Sequence, residues 1–280
     1  MRIPVIRKWV VLVVISVVCS INSGCNRLND KPGGEYLNLA LAGMAGSDGV
    51  SFEGATALLS GSEGTSYASV YYGGEVEDHN KVTLYTLLPD KKLPKSASNK
   101  MKEASSATDE KSFFSRLEKK EGHWKVLSGS TVQQNNPLPG LNPLHQLEEL
   151  KGLNKTVTEE AGGGKGVRIL RIELFPEEAH KQLANQLNQE MAALRDKENI
   201  QVSNNPKAKA ALDTFWKEKS DELKHKLDSA QVKTVYHLNV DIRRNLPKRL
   251  AWTRTINYPG DDKNTAAETY VSQVDFYGYR

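Results

Sequence analysis

Two cysteines, Cys19 and Cys25, are all that the 280 residues contain. Zinc sites of the usual Cys/His spacing are therefore absent, and no HExxH accompanies His79, His123, His145, His180, His225 and His237. No G-x-S-x-G signals a nucleophile elbow. The carboxylate pairs Glu148-Glu149 and Glu177-Glu178 are neighbours on expected helices and point in different directions; the second sits at a helix start, where acids suit the dipole. No catalytic residue, metal ligand or cofactor site emerges, and no enzymatic role is expected. A large excess of one charge is also missing. The chain carries 38 Lys+Arg against 34 Asp+Glu, with a pI near 8.8. A nucleic-acid binder shows a strongly basic domain or stripe, so that class is set aside. Long apolar runs are missing too. A spanning helix needs about 20 apolar residues, and the run Trp9 to Cys19 is far shorter.

What that run does have is a basic start. Arg2, Arg7 and Lys8 precede it, and the small pair Ser23-Gly24 follows, which is the n-region, h-region and cleavage pattern of an export signal over residues 1–24. Loss of the segment removes three basic residues and no acid, so the remaining chain is close to neutral. Cys19 leaves with it, and an exported chain would then hold one odd thiol. Asn22-Ser23-Gly24-Cys25 resembles a bacterial lipobox, with Asn22 where that family carries Leu, Val or Ile. The resemblance implies that Cys25 is the attachment point for acyl chains, palmitate among them, and becomes the first mature residue. Two or more acyl chains give stable membrane attachment. Residues 25–35 then read as the lipidated Cys and a polar, Gly-ended tether.

The remainder, 36–280, is a size that one domain fills. Tyr36, Leu37, Ala40, Leu41 and Met44 predict a short helix ended at Gly46. Strands follow over 50–58, 67–76 and 81–88, and a hairpin over 113–127 turns at Glu121-Gly122. Between them, Asp90 to Lys111 reads as a solvated polar loop whose Lys91, Lys92, Lys95, Lys100 and Lys102 are diluted by acids. Pro143 opens a helix to Leu150, as suits Pro at a first helical position. Strands 156–160 and 167–174 flank Gly162-Gly163-Gly164-Lys165-Gly166. That run lacks the earlier Gly and the following Ser/Thr of a phosphate loop, so it reads as a hairpin turn.

Pro176 begins a long helix with Ala179, Leu183, Leu187, Met191 and Leu194 at helical spacing. Asn204-Asn205-Pro206 breaks it, and a second helix runs to about Ala230, making a hairpin inserted over about 176–230. Val232, Thr234, Tyr236, Leu238, Val240 and Ile242 then share one face of a strand, with Val235 an exception on the other. Strands 250–258 and 269–277 complete a meander, turned by Asn245-Leu246-Pro247 and Pro259-Gly260-Asp261-Asp262. One apolar and one wet face mark an antiparallel sheet, and the class is α+β.

This order, with Phe52-Glu53-Gly54, Tyr71-Tyr72-Gly73, Asn142 to Leu147 and the final meander, resembles the LolA/LolB/LppX superfamily of envelope lipoproteins and its RseB-type relatives. The resemblance implies a strongly curved, unclosed half-barrel sheet with helices on its concave face. It also implies an apolar gap between the two that takes lipid. Phe52, Tyr71, Leu84, Trp124, Leu144 and Leu147 are the lining residues it suggests. Three functions stay open. The first is a protein lipid-anchored on the extracytoplasmic face of a bacterial cell membrane, binding lipid or another apolar ligand. The second is an RseB-like sensor that binds an envelope protein partner. The third is a structural envelope lipoprotein without ligand.

Overall fold

The computed structural model describes residues 31–60, 65–87, 113–129, 136–201, 206–259 and 267–280. The signal segment, Cys25, most of the tether and the stretch Asp90–Lys111 lie outside them. Ten strands form one sheet: β1 (Gly49–Ser60), β2 (Thr65–Glu77), β3 (Lys81–Thr86), β4 (Phe114–Lys120), β5 (His123–Gly129), β6 (Lys155–Glu160), β7 (Val167–Leu174), β8 (Gln231–Asp241), β9 (Leu246–Asn257) and β10 (Glu268–Tyr277). The order is β5-β4-β3-β2-β1-β10-β9-β8-β7-β6 with every neighbour antiparallel. Two five-stranded meanders are thus joined through β1 and β10. β5 and β6 do not pair, so the curved sheet stays open.

Among the described residues, four α-helices complete the α+β fold: α1 (Gly33–Ala45), α2 (Pro143–Gly152), α3 (Pro176–Gln201) and α4 (Pro206–Ser229). A short 3-10 turn, Leu138–Leu141, precedes α2 and packs on β3 and β4. α1 lies against β9, β6 and α2, and α3 lies along β8. Because side chains alternate across a strand, one face of the sheet carries Phe52, Tyr72, Leu84, Leu170, Ile172, Leu238, Leu250 and Val274. These join α1's Leu37 and Ala40 and α2's Leu144, Leu147 and Leu150 in a single core. The opposite face is ionic, with Arg171, Lys233 and Glu173 grouped on β7 and β8 and Arg249 paired to Asp275.

α2 shows how local sequence sets an element. Asn142 caps it, its side chain accepting the Leu144 N–H at 3.1 Å, while Pro143 occupies the first turn. Asn142 is 1% exposed, so no water stands in easily for the lost bond. Asn142→Ala is expected to lower the unfolding free energy by about 1 kcal/mol, read as a shift in urea midpoint at constant slope.

Some boundaries differ from the sequence reading. Gly33 and Gly34, assigned to the tether, belong to α1, whose N-cap is Pro32. The turn placed at Asn245-Leu246-Pro247 ends at Asn245, which takes φ +54°. Leu246 and Pro247 are already buried β9 residues. Proline is tolerated there because the β8–β9 register shifts at Asn239/Val240, opposite Pro247. The helical hairpin docks on the sheet through the first turns of α3 and the end of α4, and Trp216 is also buried partway along α4. Ala179 and Leu183 are buried, and His180 Nε2 lies 2.7 Å from the Leu227 carbonyl oxygen. Farther along, Leu194 is 42% and Phe215 46% exposed, so the apolar stripe outruns the surface that covers it.

Candidate functional site

Phe52, Leu84, Leu144 and Leu147 meet in the core beneath α1 and α2, each at most 5% exposed. Trp124 packs against that core half-buried, and its indole Nε1–H donates to Glu148 Oε2 at 3.1 Å. Tyr71 stands apart. Its neighbour Tyr72 fills the core, so alternation turns Tyr71 to the other face. A pocket of about 200 Å³ opens elsewhere, at the β8–β9 turn, lined by Asp241, Arg244, Leu246, Phe276 and Tyr279. None of the six lining candidates reaches it.

The glycines of β1 and β2 explain how large rings enter the core. Gly54 pairs with Tyr72, and Gly74 with Phe52. A Cβ on Gly54 would fall 2.7 Å from Tyr72 Cζ, and one on Gly74 would fall 2.5 Å from Phe52 Cζ. Each aromatic therefore lies flat across the glycine opposite, and the two rings meet edge to face at 6.5 Å.

A polar track that the sequence reading did not find crosses this same helix-covered face. Trp252 on β9 pairs with Ser272 on β10, and Arg254 lies two residues along β9 on the same face. Arg254 is only 6% exposed. Its Nε donates to Thr234 Oγ1 (3.3 Å), Nη1 to Gln186 Oε1 (3.0 Å) and Nη2 to Gln182 Oε1 (3.0 Å). Its guanidinium carbon sits 5.5 Å from the Trp252 ring centroid. Burial pushes the Arg254 guanidinium below its ordinary value, offset by the Tyr236 phenol and the Glu149 carboxylate. Glu149 is joined to it only through Gln182, whose Nε2 donates to Glu149 at 3.5 Å. Gln182 also bonds the Tyr236 hydroxyl at 3.3 Å, and burial raises that phenol.

Three further buried polar atoms lie along the track outside full hydrogen-bond geometry: Trp252 Nε1, and the neighbouring hydroxyls Ser272 Oγ and Tyr72 Oη, whose nearest polar partners are each other. Burial drives the Tyr72 phenol well above its usual range, and the Ser272 hydroxyl beside it pulls back only in part. In the sequence these residues read as β-formers, and Arg254 as one more charge in a strand. No spacing rule marks them, because the register of β2, β1, β10 and β9 is what aligns them.

Among the described residues, no group of three or more His, Cys, Asp or Glu is arranged to hold a metal, and no helix is long and apolar enough to cross a membrane. The fold and the track together define an α+β protein with an open antiparallel sheet and a polar seam inside its helix-covered face. No family model and no curated protein matches the chain. Among solved structures it is similar to LprF from Mycobacterium bovis, at 10% identity and a TM-score of 0.35, over 89% of this chain and 95% of that one. It is also similar to a DUF1329 family protein from Desulfovibrio piger, at 10% identity and a TM-score of 0.24, over 90% of this chain and 93% of that one. At such scores neither likeness bears on function.

Proposed function

We propose that the chain is a bacterial envelope lipoprotein, anchored through Cys25 on the extracytoplasmic face of the membrane, that binds lipid or another apolar ligand between its sheet and helices. The observation that carries this is the open sheet, whose helix-covered face combines a broad apolar surface with buried polar groups outside full hydrogen-bond geometry. Ligand sites commonly pair an apolar lining with a few polar groups that fix orientation. No catalytic group, metal or nucleic acid enters this reading.

The test uses the full chain, purified from membranes in a neutral maltoside detergent. Native mass spectrometry is expected to show a co-purified lipid mass, and labelled palmitate is expected to enter wild type but not Cys25→Ala. A bare chain that takes up no added amphiphile sinks the binding half. Equal labelling of the two chains sinks the anchor. The exposed Leu194 and Phe215 on the helical hairpin favour a second reading, a sensor that binds an envelope protein. It predicts one stoichiometric protein companion and no lipid in the same preparation.

A further inference from the structure

Arg254 is a full charge inside the protein whose direct hydrogen-bond partners are neutral: two glutamine carbonyls and a threonine hydroxyl. The nearest acid acting on it, Glu149, is reached only through Gln182; burying a guanidinium without a directly bonded counter-charge costs heavily, and a well-packed apolar residue of similar size serves the fold as well or better. The surroundings deepen the imbalance. Trp252 Nε1 can only donate, and of the neighbouring Ser272 and Tyr72 hydroxyls at least one O–H is left to donate to a third group. A buried guanidinium beside an indole N–H and a hydroxyl that can turn its proton outward is the complement of an anion with several oxygens. Guanidinium is the side chain best shaped to hold one, two N–H groups to two oxygens.

The geometry is continuous. Tyr72 lies across Gly54 toward β10, Ser272 stands opposite Trp252, and the Trp252 ring carries the guanidinium of Arg254. On either side are apolar groups suited to hydrocarbon, with Val274, Leu250 and Ile256 on the same sheet face.

We propose that Arg254, supported by Trp252, Ser272 and Tyr72, is the receptor for the anionic head group, phosphate or carboxylate, of an amphiphile whose chains lie along the apolar sheet face. This rests on the lipid-binding reading above and adds charge selection to it.

Binding is measured by native mass spectrometry on the full chain in neutral detergent. The probes are dioleoyl phosphatidylglycerol, oleate and uncharged dioleoylglycerol. Wild type is expected to bind at least one of the two anions ten times more tightly or better than the diacylglycerol. The tighter of the two then tells phosphodiester from carboxylate. Arg254→Met is expected to bind all three within about twofold, while its melting temperature stays level or rises. Arg254→Lys is expected to keep part of the preference. Trp252→Phe and Ser272→Ala keep the β-strand and are each expected to weaken anion binding several-fold, which covers the case in which Arg254→Met fails to fold. A preference for anions that survives Arg254→Met overturns the proposal. So does wild type binding diacylglycerol as well as the anions, which leaves lipid binding standing without the head-group site. Wild type binding none of the three removes both.

Discussion

Gly74→Ala is expected to destabilise the protein by about 3 kcal/mol, the upper end of what overpacking a core costs. A methyl group at this position meets two obstacles. The carbonyl oxygen of Thr83 on β3 lies 2.2 Å from the ideal Cβ, and Phe52 Cζ on β1 lies 2.5 Å from it. Side chains give way more cheaply than backbone, so the two contacts are separable by experiment. Phe52→Leu removes the ring and with it one clash. The carbonyl stays, because β2 and β3 are locked in register from Tyr72↔Thr86 to Glu77↔Lys81. Gly74→Ala in the Phe52→Leu background is therefore expected to retain more than half of its cost, measured by urea unfolding in a double-mutant cycle. Full rescue would place the whole penalty on the ring and contradict the close approach of β3. Gly74→Ala within 0.5 kcal/mol of wild type, the ordinary range for an uncrowded surface site, would show that the strand crossing is looser than described.

These glycines also mark how far the sequence speaks for itself. Every strand and α-helix of the described region is legible as an element, because alternation in the strands and the three-and-four spacing in the helices are local properties; the 3-10 turn Leu138–Leu141, in a Pro/Gly-rich stretch, is not. Pro143 and Pro176 announced two helix starts, and Glu121-Gly122 announced a turn at which both residues take positive φ. Phe52, Leu84, Leu144 and Leu147 were legible as buried apolar positions for the same reason. What stayed hidden depends on register between strands distant in sequence. Gly54 and Gly74 look like strand weaknesses until Tyr72 and Phe52 are seen lying across them. The resemblance points to Tyr71 as lining, whereas Tyr72 is the one that faces the core, and two adjacent tyrosines do not by themselves declare which turns inward. Leu246 and Pro247 look like turn because proline usually ends a strand, and only the register shift in β8 makes room for it. Arg254 needed the most context. Its setting is assembled from β8, β9 and α3, with Gln182 and Gln186 some seventy positions upstream.

Alkali is expected to unfold the protein cooperatively above pH 10, and tyrosines are the cause. Burial raises the phenols of Tyr72, Tyr236 and Tyr279, and burial together with the Glu53 carboxylate pushes Tyr277 up to about 12. The sign follows from which state holds the proton. In the unfolded chain these phenols ionise near the ordinary value of about 10; in the folded chain they remain neutral well beyond it. Their stabilising contribution is thus complete below pH 10 and is lost as pH climbs toward the folded values. Each phenol that is ionised only in the unfolded state removes about 1.4 kcal/mol per pH unit. Tyr72 and Tyr279 together remove about 3 kcal/mol per unit, a large part of the 5–15 kcal/mol that holds a typical domain together, and Tyr236 acts in the same direction. Tyr277 is 45% exposed, and solvent screening keeps its share small. Phenolate absorbance is expected to rise in one steep step that coincides with loss of far-ultraviolet circular dichroism. A gradual titration centred near pH 10 with the dichroism intact would mean the phenols are solvated. Tyr72→Phe separates the cause from general alkaline damage. Its hydroxyl meets only the Ser272 hydroxyl, outside full hydrogen-bond geometry, so the variant should stay within about 1 kcal/mol of wild type at pH 7. One titrating group fewer should then carry its unfolding midpoint to higher pH.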